Sequence, residues 1–224
     1  MLNTMTIALL PILLGPVISA SVIPISTRQF SDPDPGPAVK IQPISYDNLC
    51  LTVIGPKLVP GAAVELATCF DSSDSNVNHQ QWHGWSDDPN QQFTLSIQDG
   101  DNRYCLDKGG NPNGDGDSQE FNGTKLKLSQ CDNGVPNSQL WGFDQGNNQL
   151  KFVDIFAPNT DSKKRCLDVV KDSHSYQPDG LEFAVQKNVQ LWECVDGNTN
   201  QIWRSTDSSR TNRFVSFHMF MFII

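Results

Sequence analysis

Between about residues 42 and 207 the apolar positions do not follow the three-to-four spacing of an amphipathic helix. They fall into short runs: CLTVI from Cys50, AVELATC from Ala63, FTLSI from Phe93, KLKLSQC from Lys125 and VQLWEC from Val189. Clusters of Asn, Asp, Gly and Ser separate these runs. Short apolar runs bounded by turn formers predict strands, so the expected class is all-β.

Two flanking regions follow a different pattern. The run from Ile7 to Ile18 is apolar and uncharged and ends at Ile18-Ser19-Ala20. It is shorter than the roughly 20 residues of a membrane span, and its small-residue end suits cleavage, so residues 1–20 are expected to be a signal peptide and the protein secreted. Prolines in the SDPDPGP segment from Ser31 to Pro37 exclude a regular ladder, which predicts a linker over 21–41. The apolar tail from Phe214 to Ile224 is also too short to span a membrane, and residues 208–224 carry no assignment.

Aligning the central runs exposes a threefold repeat. Cys-Leu begins at Cys50, Cys105 and Cys166, a second cysteine follows at Cys69, Cys131 and Cys194, and Gln-x-Trp closes each unit at Gln80–Trp82, Gln139–Trp141 and Gln201–Trp203. Units of about 42–97, 98–156 and 157–207 are predicted. Export to an oxidising compartment changes how the six cysteines read: disulfides are favoured over thiols or zinc, and no Cys-x-x-Cys occurs. Neither a metal site nor a cofactor is expected. A net charge of −9 argues against nucleic acid, which needs clustered Lys and Arg, whereas the abundance of uncharged polar residues suits neutral polar ligands.

The segments CLDV at Cys166, QLWEC at Gln190 and NQIW at Asn200 resemble the ricin B-chain lectin family, over roughly residues 42–206. The resemblance implies a β-trefoil, three four-stranded repeats about a pseudo-threefold axis, with Trp82, Trp141 and Trp203 in the shared core. Of the fifteen connectivities that six cysteines allow, it and the spacing select Cys50–Cys69, Cys105–Cys131 and Cys166–Cys194. It further implies a sugar site in repeat three made of Asp168, Gln190, Trp192, Asn200 and Gln201. The chemistry is sound on its own terms, because a pyranose offers a C–H face to an aromatic ring and a rim of hydroxyls to fixed polar groups. The expected ligands are galactose or N-acetylgalactosamine-type glycans.

Repeat two keeps Asp107 and Gln139 but has Lys127, Ser129 and Ser138 at the other positions, so at most a weaker second site is expected. Repeat one, with Thr52, Glu65, Ala67 and His79, should have none. A long polar insertion between Val169 and Val189 is expected to cover or enlarge the repeat-three pocket, with His174 and Tyr176 in its wall. The NPNGDGDS segment from Asn111 has the alternating oxygens of a calcium loop but Asn122 where a bidentate Glu belongs, which favours a solvated turn. Asn122-Gly123-Thr124 is a glycosylation sequon. No nucleophile–base pair or paired carboxylates stand out, so a non-catalytic lectin is expected. The alternative is a trefoil interaction protein, a protease inhibitor or toxin-associated module, with degenerate sugar sites.

Overall fold

The computed structural model describes residues 36–109, 122–131, 138–153 and 164–207. The expected signal peptide, most of the linker, the Asn111–Ser118 segment and the C-terminal tail lie outside the described residues. The chain forms β1 (Val39–Pro43), β2 (Leu49–Ile54), β3 (Ala63–Thr68), β4 (Gln92–Phe93), β5 (Ser96–Asp99), β6 (Asn102–Asp107) and β7 (Lys127–Gln130). It continues with β8 (Trp141–Asp144), β9 (Gln149–Phe152), β10 (Arg165–Val169), β11 (Val185–Lys187), β12 (Val189–Glu193) and β13 (Trp203–Asp207). The only helical elements among the described residues are short 3₁₀ turns. The fold is all-β.

Each Cys-Leu run lies in a strand that pairs with the run ending at the second cysteine. The hairpins β2–β3, β6–β7 and β10–β12 share one register: the first cysteine lies opposite Ala67, Ser129 or Trp192, two residues before the second cysteine. The disulfides Cys50–Cys69, Cys105–Cys131 and Cys166–Cys194 clamp the base of each hairpin with Cα atoms 4.9 to 5.0 Å apart. Closing loops of this size stabilises by about 3 kcal/mol each on the chain-entropy account.

A second set of pairings joins consecutive repeats. β8 pairs β9, β13 returns to β1, and Trp82–His83 bridges to Val39 and Ser96 in the corresponding place. The end of each repeat therefore hands over to the start of the next, and the third closes on the first. Trp82, Trp141 and Trp203 are fully buried at this junction. Their indole N–H groups donate to the carbonyls of Leu51, Leu106 and Leu167 at 2.9, 3.0 and 2.8 Å. A buried indole needs such a partner, so Cys-Leu and Gln-x-Trp are two halves of one bonded unit. The glutamines work alike: Gln80, Gln139 and Gln201 donate to the carbonyls of Thr68, Gln130 and Glu193, each the residue before the second cysteine.

Three boundaries differ from the sequence reading. Val39 and Ile41 alternate inward and pair with β13, so the last three residues of the expected linker are strand. β5 and β9, the first strands of repeats two and three, begin at Ser96 and Gln149 rather than at 98 and 157. Each is one arm of a pairing whose other arm follows the preceding Trp. The third difference, in the repeat-three insertion, bears on the site.

Candidate functional site

In repeat three, the β10–β12 register sets Asp168 opposite Gln190 and Cys166 opposite Trp192. Strand alternation then puts Gln190 and Trp192 on one face. Gln190 donates to Asp168 Oδ1 at 3.0 Å. The other carboxylate oxygen accepts from Asn198 Nδ2 at 3.2 Å. Asp168 is only 5% exposed, and burial raises its carboxyl above the usual Asp range against the pull of hydrogen bonds from Gln190, Gln201 and Asn198. Trp192 is 39% exposed, unlike the three core tryptophans. A carboxylate oxygen has room for more than one donor, so each Asp168 oxygen can still accept a hydroxyl.

The remaining two expected residues play unequal parts. Gln201 is fully buried and its amide is spent within the chain: it donates to Glu193 O at 2.9 Å and accepts from Val195 N–H at 2.8 Å and Gln149 Nε2 at 3.2 Å. It positions the loop after the second cysteine rather than facing a ligand. Asn200 is half-buried, and its backbone N–H caps the Asn198 side chain at 3.1 Å. Asn198 is thus the residue that the sequence reading missed. The signal was local, an Asn two residues before an Asn at the start of a 3₁₀ turn, where a side-chain oxygen caps the turn and its amide is left to reach outward.

Repeat two keeps its carboxylate, which is likewise held by groups of the chain. Asp107 Oδ1 accepts from Gly109 N–H at 2.8 Å, and Oδ2 accepts from Ser138 Oγ at 2.7 Å and Gln139 Nε2 at 3.4 Å. The ring position opposite Cys105 holds Ser129. What the expected weaker second site lacks is a stacking face.

Repeat one is covered, and by an unexpected element. The insertion of repeat three runs away from Asp168 and adds β11 to β3, with Tyr176 bridging Val185. Phe183 from this insertion packs edge-on against Phe70 at 5.0 Å and His79 at 6.0 Å, in a cluster with Ala67, Ile54, Val77 and Leu181. The insertion thus plugs the repeat-one face and neither covers nor enlarges the repeat-three pocket. Tyr176 stands beside Glu65, not Asp168, because Leu181, Phe183 and Val185 need the Ala67–Phe70 face for burial. Beneath the plug, Thr52 accepts from Gln80 at 2.8 Å and His79 Nδ1 lies 2.9 Å from Val53 O. Glu65 accepts from Val189 N–H at 2.6 Å. Burial pushes its carboxyl up to about 7, opposed by that bond and by Lys125.

The outer edge of β12 is lined by repeat two. Gly123 N–H donates to Leu191 O at 2.8 Å, Leu191 N–H to Thr124 O at 2.9 Å, and Glu193 N–H to Asn122 Oδ1 at 2.8 Å. Gly123 has φ +85°, which favours glycine, and a Cβ there would come 3.9 Å from Gln190 Oε1. Among the described residues no cluster of three or more His, Cys, Asp or Glu is placed to hold a metal ion.

The model of the ricin-type beta-trefoil lectin domain matches residues 38–181. The match ends before Gln190, Trp192, Asn200 and Gln201, of which the shared hairpin register places the first two and the 3₁₀ turn Thr199–Gln201 the others. Among solved structures, the solution structure of the mdaA-1 domain is similar at 11% identity and a TM-score of 0.50, covering 77% of this chain and 91% of that one. The crystal structure of GalNAc-T7 with UDP, GalNAc and Mn2+ aligns at 18% identity and a TM-score of 0.47 over 76% of this chain. Cry35Ab1 aligns at 12% identity and 0.48 over 80% of it. This chain spans 22% of the GalNAc-T7 chain and 38% of Cry35Ab1. No curated protein matches.

Proposed function

Given that the chain belongs to the ricin-type β-trefoil lectin domain family, a membership that suggests carbohydrate binding, we propose that it is a secreted, non-catalytic lectin with one working site, in repeat three. The ligand class is galactose- or N-acetylgalactosamine-type glycans. One observation carries the reading: Trp192, 39% exposed, shares a face with a carboxylate that side-chain amides hold in place. A sugar's C–H face would lie on the ring while two neighbouring hydroxyls donate to Asp168. Gln190 and Asn200 would supply further hydrogen bonds, and Gln201 would support the loop from beneath. A few hydrogen bonds and one stacking contact, less ordering costs, support affinity on the order of micromolar to millimolar per site.

Hydroxyl donation needs Asp168 ionised. Because burial raises its carboxyl, binding should fall away on acidification at a higher pH than an ordinary Asp would give. The deciding test is a glycan array on the wild type and Asp168→Ala. Loss of one charge-assisted contact should weaken retained glycans at least about tenfold. A wild type that binds no glycan, or a variant that binds as well, overturns the reading and favours a trefoil that engages proteins through its loops.

A further inference from the structure

The sequon Asn122-Gly123-Thr124 belongs to repeat two by sequence but lies along β12 of repeat three. Its backbone is strand-paired to Leu191, and the Asn122 side chain accepts from the N–H of Glu193, the residue after Trp192. Asn122 is exposed, and its Oδ1, not its Nδ2, makes that bond. The Oδ1 bond therefore holds the attachment atom against the edge of β12, one residue from Trp192, since Nδ2 and Oδ1 share one carboxamide. Gly123 faces Gln190 with no side chain between them. Anything attached to Nδ2 starts at the β12 edge next to Trp192 in the chain.

From this placement we propose that Asn122 is an N-glycosylation site whose glycan lies over the Trp192 face and limits access to it. The consequence for ligand binding rests on the sugar-site reading above. In the modification, an oligosaccharide joined to a lipid diphosphate is the donor. The bond from the first sugar's C1 to the diphosphate oxygen breaks, a C1–Nδ2 bond forms, the lipid diphosphate leaves, and one amide proton is released to a base of the transferase. No oxidation or reduction occurs. The Oδ1 bond to Glu193 survives, because the linked amide keeps its carbonyl. The site is then screened by the protein's own sugar until that glycan is trimmed or absent.

The experiment uses the full chain secreted from a eukaryotic host, as wild type, Thr124→Ala and Thr124→Ser. Intact mass should include a glycan in the wild type and Thr124→Ser and none in Thr124→Ala. Acrylamide quenching then reads the cover, with Trp192→Phe identifying the Trp192 contribution. That contribution should be lost in glycosylated protein and return after a peptide N-glycosidase, which makes Asn122→Asp and preserves an acceptor for Glu193. Retention on immobilised galactose should rise in the same step. An unmodified wild type, or quenching indifferent to glycan removal, overturns the proposal. Quenching that returns while no form binds any glycan leaves the cover standing and overturns the sugar-site reading instead.

Discussion

Repeats one and three are built on the same hairpin, with the same disulfide position, the same indole-to-leucine bond and the same glutamine clasp, yet one is plugged and the other open. The divergence sits in four positions, three in the shared hairpin register and one at the 3₁₀ turn that leads into Gln-x-Trp. Thr52, Glu65, Ala67 and Val77 in repeat one stand where Asp168, Gln190, Trp192 and Asn198 stand in repeat three. Ala67 offers no ring, and its small side chain leaves a recess that Phe183 fills. The trefoil's symmetry thus fixes where a site can be, while the hairpin's outward residues decide whether it is used, lost or lent to a neighbour as packing surface.

The largest effect that would sharpen this contrast comes from removing the plug. Phe183→Ala takes a ring from its contacts with Phe70 and His79, and should cost about 3 kcal/mol, the lower end for a buried Phe because one edge reaches solvent. Urea denaturation measures it. Glycan binding should persist, since the Asp168 face lies elsewhere. A loss under about 1 kcal/mol would mean that the insertion merely rests on repeat one.

Glu65 tests the same contact through pH. Its carboxyl, raised from 4.5 to about 7, takes up a proton on folding. The associated stability is fully present below 4.5 and is lost as pH rises through about 7, so ionised Glu65 costs up to about 3 kcal/mol at pH 8. Lys125 and Tyr176 face the same carboxyl, and the shift is the net result. Glu65→Gln keeps an acceptor for Val189 N–H. Its stability advantage over the wild type, from denaturation at pH 5 and 8, should grow with pH, whereas a constant difference would break the link between burial and titration.

What was legible in the sequence follows the same division. Scaffold residues recur three times in fixed order, so Trp82, Trp141, Trp203 and the six cysteines could be found by alignment of the chain with itself, while the cysteine pairing took the family resemblance as well. Asp168, Gln190 and Trp192 were found through the resemblance to the ricin B-chain family, and the strand register shows why their spacing works, since it converts two-residue spacing into a shared face. The plug was not found, because nothing local in KDSHSYQPDGLEF says which surface its Leu181 and Phe183 will cover. That is a long-range choice, made by the recess at Ala67. Asn198 was hidden for a related reason: it has no counterpart in the other repeats, where Val77 and Pro136 occupy the position.

That position gives the smallest and most discriminating test. Val77 joins the apolar plug of repeat one, whereas Asn198 holds the second oxygen of Asp168 and caps Asn200. Asn198→Ala removes a bond that stabilises the ionised carboxylate, worth about 1 kcal/mol, so glycan affinity should fall roughly fivefold. Losing that donor also lets burial act with less opposition, raising the Asp168 carboxyl further. The midpoint at which binding disappears on acidification should therefore move to higher pH, a shift that loosening of the loop alone would not produce. Binding titrated from pH 8 downward on both proteins separates the two, and an unchanged midpoint would place Asn198 in the cap and not in the site.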